Sequence, residues 1–259
     1  MLIAQISDLH IMPQGKLAFG RFDTSASLTR CVSHLMQIRP LPDAVLGTGD
    51  LVDGGSAGEY RRLRNLLAPL TMPVYLIPGN HDQREALCAE FGDHAYLPRS
   101  SQMIRYVVDN YSVRLVALDT MVAGEEGGAL GADQLDWLEA TLQAEPRKPT
   151  LVFMHHPPVL TGICYMDEIA LDQPSVERLA QIIERHPQAE HITCGHVHRG
   201  MQARWHGTTV SICPSTAFQY SLDFRPDASA TVTGEPPAYQ LHYWNGTELV
   251  THTVEVAQD

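Results

Sequence analysis

Thr48-Gly49-Asp50-Leu51-Val52-Asp53 decides the fold of this chain, because it ends a short apolar run and places a carboxylate at the tip of a predicted strand. The preceding run, residues 43–47, is bounded by Pro42 and by glycines, which is typical of a buried strand. Open α/β sheets place their ligands outside the carboxyl ends of such strands. Asp50 is therefore our candidate for a carboxylate that bridges two metal ions, provided that other strand ends supply partners.

The composition indicates one acidic domain spanning residues 1–259, because apolar residues are used evenly and the length allows a large core. Eighteen Lys and Arg residues stand against thirty Asp and Glu residues, so the formal charge is −12. Such a surface disfavours binding of a long nucleic acid, although a small anion can still be drawn to local cations.

The location of the protein is predicted from two absences in the sequence. No apolar window is long enough to cross a membrane, and Asp8 lies too near the start for a cleaved signal peptide, so we expect a cytoplasmic protein that binds no membrane. Five cysteines without CxxC spacing indicate reduced thiols in or near the core.

Polar side chains that can bind metals follow four further predicted strands. Asp8 and His10 follow the first strand, and an alternating backbone puts residues two apart on the same side. Asn80 follows strand 74–77, and its amide oxygen can serve as a neutral metal ligand. Each motif alone also fits an ordinary turn with a surface histidine. The other two strand ends carry His155-His156-Pro157-Pro158 and Gly195-His196-Val197-His198.

The remaining pattern predicts alternating helices and strands. Asp23 is a predicted helix N-cap, and Ser56 with Glu59 forms a predicted capping box. Asn245-Gly246 indicates a hairpin. Further helices are predicted at 84–91, 133–142 and 176–186, and further strands at 103–108, 114–118, 201–205, 208–212, 239–244 and 248–256.

Two long loops lie outside these elements. Loop 159–174, which carries Tyr165, Met166 and Asp167, fits a lid over a site and a plain surface excursion equally well. Residues 221–237 are rich in Pro, Asp, Ala and Thr and read as a loop that is ordered against a partner. Because the β-rich tail 201–259 offers strand edges, we expect a homo-oligomer, a dimer or higher.

The strand-end motifs occur in one order, and in that order the sequence resembles the calcineurin-like metallophosphoesterase family over about residues 1–200. In spacing and in the Met166-Asp167 loop it is most similar to the bacterial branch of class III cyclic nucleotide phosphodiesterases and glycerophosphodiesterases. The matching blocks are Asp8-Leu9-His10, Gly49-Asp50-Leu51-Val52-Asp53, Gly79-Asn80-His81-Asp82, His155-His156 and Gly195-His196-Val197-His198.

The resemblance implies an α/β fold, a four-layer sandwich of two mixed sheets between helices, with a β-rich C-terminal part. It also implies two divalent metal ions: Asp8, His10, Asp50 and His198 would bind one, and Asp50, Asn80, His156 and His196 the other. Such a pair, about 3.5 to 4 Å apart, polarises a phosphoryl group and activates water to hydroxide. The donor set suits Mn²⁺, Fe²⁺ or Zn²⁺.

The resemblance also implies roles for other polar residues of these blocks. His81 would be unligated and catalytic, either stabilising the transition state or protonating the leaving alkoxide. Asp53 and Asp82 would orient ligand histidines or cap turns. His155 is the weaker candidate of its pair. The histidines outside the blocks are expected at the surface, among them His34, His94, His186, His191, His206, His242 and His252.

The sequence thus predicts a phosphodiesterase that acts on small diesters. Protein serine/threonine phosphatases of this family carry an arginine directly after the block that matches 50–53, and here that position is Gly54. A diester carries one negative charge and needs less cationic compensation than a monoester. The alternatives are a phosphomonoesterase and a scaffold that binds without turnover; the second would be expected to have lost ligands.

Overall fold

The computed structural model describes residues 1–98 and 103–257. Among them, the strands are β1 (Leu2–Ile6), β2 (Ala44–Thr48), β3 (Val74–Ile77), β4 (Tyr106–Val108), β5 (Arg114–Ala117), β6 (Thr150–Phe153), β7 (Ala189–Cys194), β8 (Met201–Trp205), β9 (Thr208–Ile212), β10 (Gln219–Tyr220), β11 (Val232–Thr233), β12 (Ala238–Trp244) and β13 (Leu249–Glu255). The helices are α1 (Thr24–Leu35), α2 (Ala57–Leu67), α3 (Arg84–Glu90), α4 (Ala132–Ala144), α5 (Cys164–Asp167) and α6 (Gln173–Arg185).

Two large mixed sheets form the centre of the molecule. The first has the strand order β13-β12-β1-β2-β3, and the second has the order β4-β5-β6-β7-β9-β8. Strands β1, β2 and β3 are parallel, whereas β12 runs antiparallel to β1. In the second sheet β5, β6, β7 and β9 are parallel, and β4 and β8 are antiparallel edges. The predicted α/β sandwich of two mixed sheets is confirmed.

Alternating side chains of β6 divide the core between two faces of the second sheet. Leu151 and Phe153 belong to the larger apolar cluster, which also contains the first sheet and the buried faces of α1, α2 and α3. Val152 and Met154 belong to the other cluster, with α4 and α6. Because successive residues of a strand point to opposite faces, one strand contributes to both clusters.

Helix and hairpin boundaries follow the predicted local signals. Asp23 accepts a hydrogen bond from the Ala26 amide at 2.9 Å. Ser56 and Glu59 form the reciprocal capping box at the start of α2. Gly246 has φ +108°, as the hairpin between β12 and β13 requires. These signals were readable because capping and turn chemistry depend on residues only a few positions apart.

Four of the strands after residue 200 belong to the two large sheets, β12 and β13 to the first and β8 and β9 to the second. β12 pairs along β1, with His242 opposite Ile3. β9 pairs along β7, with Thr209 opposite His191. The sequence prediction missed the short ribbon β10–β11, whose two-residue strands are too brief for a period-2 pattern. It also missed α5, a four-residue helix inside loop 159–174.

A buried polar network connects the two sheets face to face. Gln5 of β1 donates to Thr48 Oγ1 and to the Cys194 carbonyl, each at 2.9 Å. Its Oε1 accepts from Thr193 Oγ1 at 2.5 Å and lies 3.0 Å from His242 Nε2. His191 Nε2 lies 2.7 Å from Ser211 Oγ in the same layer.

The prediction that His191 and His242 lie at the surface was wrong. Their exposed fractions are 2% and 0%. A neutral imidazole can be buried when its nitrogens have hydrogen-bond partners, and neighbouring strands of the same sheet supply them: Ser211 for His191, and Gln5 and Thr251 for His242. All five cysteines are free, with Cys31, Cys194 and Cys213 buried, so the prediction of reduced core thiols is confirmed.

Within the described ranges no helix combines the length and apolar character needed to cross a bilayer.

Candidate metal centre

The carboxyl ends of β1, β2, β3, β6 and β7 meet at one edge of the sandwich, and all the predicted metal-binding blocks lie there. The local backbone is strained. Five side chains of these blocks sit on residues with positive φ, between 41° and 73°, although none is glycine. Such strain persists where the surrounding structure fixes it, and it clusters at functional sites. The five residues are Asp8, His10, Asp50, His196 and His198.

Glycines allow these strand ends to approach one another. A Cβ at position 195 would lie 2.0 Å from Ser7 Oγ and 2.9 Å from Asp8 Oδ2. A Cβ at position 79 would lie 2.3 Å from Asp50 Oδ1. No side chain fits at either position without displacing a predicted ligand.

The first group of candidate ligands comprises Asp8, His10, Asp50 and His198, all buried, with ligand atoms within 4.8 Å of one another. His10 Nε2 lies 3.1 Å from His198 Nε2 and 3.5 Å from Asp50 Oδ2. Asp8 Oδ2 is buried and has no hydrogen-bond partner among the described residues. A buried carboxylate oxygen without a partner is costly, and a cation bound here would satisfy it.

The second group lies on the other side of Asp50. Asn80 Oδ1 is 3.2 Å from both His155 Nε2 and His196 Nδ1. Asp50 Oδ1 is 3.4 Å from His155 Nε2. His196 Nε2 is buried and unpartnered within the described part of the chain. The two carboxylate oxygens of Asp50 therefore face different ligand groups, which places this side chain between them.

The electrostatics of the cluster favour added positive charge. Burial opposes protonation of His155, but the charge of Asp50 and a hydrogen bond to it raise the pKa of His155 to about 9. Burial likewise opposes a charge on Asp50, yet the neighbouring His155 holds the pKa of Asp50 well below its usual range. Burial raises the pKa of Asp8 to about 6. These carboxylates need cationic partners, so the donor set fits divalent metal ions.

The two adjacent histidines of β6 have different surroundings. His156 Nδ1 is 2.8 Å from Thr120 Oγ1, and its Nε2 is 3.0 Å from the Glu126 carbonyl. Burial and the charge of His155 lower the pKa of His156 to about 3, so its ring is neutral and both nitrogens are paired. His155 Nε2, in contrast, lies 3.4 Å from Asp50 Oδ1 and 3.2 Å from Asn80 Oδ1, both candidate ligand atoms. Both histidines belong, with His196, to a group of potential ligand atoms within 4.8 Å of one another, and the predicted ligand His156 is the one whose two nitrogens are already paired.

Backbone carbonyls orient the candidate ligand imidazoles. His155 Nδ1 and His198 Nδ1 each lie 2.8 Å from a carbonyl oxygen, of Thr48 and Phe218 respectively. Donation from Nδ1 leaves Nε2 free to bind a metal. No sequence signal indicated these partners, because Phe218 lies outside every motif and acts through its main chain. Its ring also packs on His10 and His198, with centroids 5.1 and 4.7 Å away.

Two acidic residues predicted to orient histidines behave differently. Asp53 Oδ1 lies 3.3 Å from His10 Nδ1. Asp82 instead accepts from the amides of Leu51 and Gly79 and from the Tyr60 hydroxyl, at 3.0, 2.8 and 2.7 Å. Asp82 thus holds the loops after β2 and β3 together. Burial and the nearby charge of Asp50 raise its pKa to about 6.

His81 is exposed at the edge of the cluster, outside the two groups above, and its ligand atoms lie within 4.8 Å of those of His10 and Asp53. Its amide donates to Asp50 Oδ1 at 2.9 Å, and its Nδ1 lies 2.9 Å from the Asp53 carbonyl. Its ring stands edge-on to His10, with centroids 4.7 Å apart. Donation from Nδ1 to that carbonyl leaves Nε2 to face a substrate.

A cavity of about 340 Å³ opens over both ligand groups. Met166, in loop 159–174, contributes to its wall. Asp167 instead accepts from the Thr161 and Gly162 amides and stabilises its own turn. Tyr165 and Tyr220 also line the cavity, although no sequence motif connects these two tyrosines. Its described lining contains no Lys or Arg: His10, Asp50, Asn80, His81, Glu126, Tyr165, Met166, Glu168, Ile169, His196, His198, Tyr220 and Ala230.

The sequence and structure comparisons with known proteins agree on one family. The model of the calcineurin-like phosphoesterase family matches residues 1–200. A probable glycerophosphodiester phosphodiesterase, GpdQ of Arcobacter nitrofigilis, is 39% identical over 98% of this chain and 92% of its own length. The 3',5'-cyclic adenosine monophosphate phosphodiesterase CpdA of Vibrio vulnificus is 32% identical, over 98% and 90%. A dimetal phosphatase from Danio rerio shares the fold, with TM-score 0.68, 16% identity and 99% coverage of both chains.

Proposed function

The chain belongs to the calcineurin-like phosphoesterase family, and from that premise we propose that it hydrolyses small phosphodiesters with two divalent metal ions. The observation that carries this proposal is the orientation of Asp50. Its Oδ2 lies 3.5 Å from His10 Nε2 in one ligand group, and its Oδ1 lies 3.4 Å from His155 Nε2 in the other.

We assign the residues of the cluster to two metal sites. Asp8, His10, Asp50 and His198 would hold one ion, and Asp50, Asn80, His155 and His196 the other, with His155 in place of the predicted His156. Bound divalent cations supply Lewis acidity, which polarises the phosphoryl group and lowers the pKa of attacking water. Fe²⁺, Mn²⁺ and Zn²⁺ are the metals that suit this mixture of carboxylate, imidazole and amide donors.

His81 acts on the leaving group in this proposal. Its Nδ1 is held by the Asp53 carbonyl, and the ring lines the cavity beside His10. A protonated imidazole can deliver its Nε2 proton to the departing alkoxide, which is a poor leaving group without an acid. The cavity beside it has space for a small alcohol group.

The charges around the cavity support a diester over a monoester. Arg84, which follows the Asn80 block, is paired with Asp119 at 2.6 and 2.8 Å. Arg199, which follows the His198 block, donates to the Tyr220 carbonyl and to Glu235. Neither guanidinium lines the cavity. A phosphate with a single negative charge needs no cation beyond the two metals.

The test is the ratio of kcat/KM for bis(p-nitrophenyl) phosphate to kcat/KM for p-nitrophenyl phosphate, measured with Mn²⁺ loading. We expect the diester to be preferred by tenfold or more. A clear preference for the monoester would favour the phosphomonoesterase alternative. Absence of turnover on both substrates at full metal loading would favour a binding scaffold. Extending the assay to cyclic nucleotides and glycerophosphodiesters identifies the alcohol group.

We also propose that the enzyme acts in the cytoplasm as a homo-oligomer, a dimer or higher. The outer strands β8 and β13 support the second proposal, because an unpaired strand edge can pair with another chain. Light scattering at micromolar concentration tests it. A monomeric mass would contradict the proposal.

A further inference from the structure

Tyr220 lies beside the candidate ligands although no metal-binding motif contains it. It follows Phe218 by two residues, in the short strand β10. Its ring centroid is 4.8 Å from that of His198, and the residue lines the cavity together with Asp50 and His81. Tyr220 lies outside the part of the chain that the family model matches, which ends at residue 200.

The position of Tyr220 is fixed from three sides. Its carbonyl accepts a hydrogen bond from Arg199, the residue after the ligand His198. Its backbone pairs with Val232 across the β10–β11 ribbon. Its ring meets Tyr165 of α5 edge-on, with centroids 5.9 Å apart. A group held this way loses little further freedom when it makes a hydrogen bond.

The Tyr220 hydroxyl differs from the other phenol of the cavity. Tyr165 donates to the Ser221 carbonyl at 3.4 Å, whereas the Tyr220 hydroxyl makes no hydrogen bond within the described residues. A tyrosine phenol ordinarily has a pKa near 10, so it keeps its proton at neutral pH and is a neutral donor. The described lining contains no Lys or Arg. The Tyr220 hydroxyl is therefore an uncharged hydrogen-bond donor for an anion bound in the cavity.

We propose that the Tyr220 hydroxyl donates a hydrogen bond to a non-bridging oxygen of the bound phosphate group. The inference rests on the proposed phosphoesterase function, because it requires a phosphate at the metal cluster. It adds a substrate-binding residue from the C-terminal part of the chain. A neutral donor suits a singly charged diester, since it adds specificity for the phosphate oxygens without adding a cation.

The test compares Tyr220→Phe with Tyr243→Phe, which removes the same hydroxyl from a half-exposed site on β12. Hydrogen bonds to charged groups change equilibria by about tenfold or more. We therefore expect Tyr220→Phe to lower kcat/KM for bis(p-nitrophenyl) phosphate about tenfold, with Mn²⁺ content unchanged. The control should stay within about twofold of the wild type.

A binding measurement separates this inference from the proposed function. Isothermal titration with inorganic phosphate into Mn²⁺-loaded protein reports binding even if no diester is hydrolysed. Weaker phosphate binding in Tyr220→Phe, by about tenfold at unchanged metal content, supports the inference whatever the turnover. Equal phosphate affinity in the variant and the wild type would overturn it. A loss of Mn²⁺ from Tyr220→Phe would also overturn it, because the hydroxyl would then be supporting the metal ligands.

Discussion

Asp50 is the residue on which the whole site depends. It is 2% exposed, it adopts φ 47°, and its two carboxylate oxygens point to separate groups of ligand atoms. Its Oδ1 also accepts the amide of His81 at 2.9 Å. One side chain thus connects both proposed metal sites with the proposed acid. His81 itself needs no metal contact for its role.

Asp50→Ala is expected to lose full occupancy at both metal sites, because both sites share this carboxylate. His81→Ala should keep both metals and turn over about 10²- to 10⁴-fold more slowly, the usual contribution of general acid catalysis. Elemental analysis of the purified variants, with kcat on bis(p-nitrophenyl) phosphate, checks both expectations. If His81→Ala is as metal-poor as Asp50→Ala, the unligated role of His81 is wrong.

His155 and His156 provide a second comparison between neighbouring residues. We expect His155→Ala to lose most of the second metal ion while His156→Ala retains it, because both nitrogens of His156 are already paired. Metal content measured after dialysis against a weak chelator tests this. Depletion confined to His156→Ala would restore His156 to the ligand set and contradict the assignment of His155.

Strand ends are the elements that build the site. The loop after β7 passes so close to β1 that position 195 has no room for a side chain. His196 donates its amide to Asp8 Oδ1 at 2.9 Å, which ties the two strand ends together. Ser215, in the loop before β10, donates to the Asp8 carbonyl at 2.7 Å. Loops from distant parts of the chain therefore fix Asp8.

Gly195→Ala is expected to reduce metal occupancy, because its Cβ would overlap Ser7 and displace Asp8. Overpacking of this kind destabilises by about 1–3 kcal/mol. Urea unfolding and metal analysis measure the two effects. Gly58→Ala in α2 is the matched control, since its Cβ would meet only Ser56 Oγ at 4.0 Å. Wild-type metal content in Gly195→Ala would contradict the tight approach of the two loops.

At the scale of the whole molecule, the layer between the sheets contains buried polar side chains beside its apolar ones. Burial lowers the pKa of His191 to about 4, and burial with the charge of His191 lowers the pKa of His242. Their ring centroids are 5.3 Å apart. Both rings are therefore neutral in the folded protein at pH 7. Protonation would place unpaired charges between two packed sheets.

This layer makes the fold sensitive to acid. A histidine in the unfolded chain has a pKa near 6.5, so it binds a proton below that pH. In the folded protein the pKa of His191 is about 4, so the folded state binds this proton only near pH 4. Stability is fully present above pH 6.5 and falls as the pH drops through this window, by about 3 kcal/mol for His191. Urea midpoints between pH 8 and pH 4.5 measure the decrease.

His191→Gln should lose less stability on acidification than the wild type, since glutamine does not titrate. His252→Gln, at an exposed position of β13, is the matched control and should follow the wild type. The comparison also accounts for metal release at low pH, which all three proteins share. A parallel loss in His191→Gln and the wild type would show that His191 does not carry the effect.

The sequence by itself determined the features that depend on local pattern. Apolar runs predicted the strands, capping residues such as Asp23 and Ser56 predicted helix starts, and metal-competent side chains after each run predicted the edge of the sheet that carries the site. These signals are local because a strand's period and a cap's hydrogen bond involve residues only a few positions apart. The family likewise followed from the order of the blocks.

The tertiary structure decided what depends on contacts between distant segments. His155 and His156 share one motif, and only Thr120, the Glu126 carbonyl and Asp50 distinguish their surroundings. Burial of His191 and His242 depends on the packing of the two sheets against each other, and Phe218 and Tyr220 come from a segment that returns to the candidate ligands. No periodicity along the chain encodes such contacts, because a side chain's hydrogen-bond partner and its burial are fixed only when separate strands pack together.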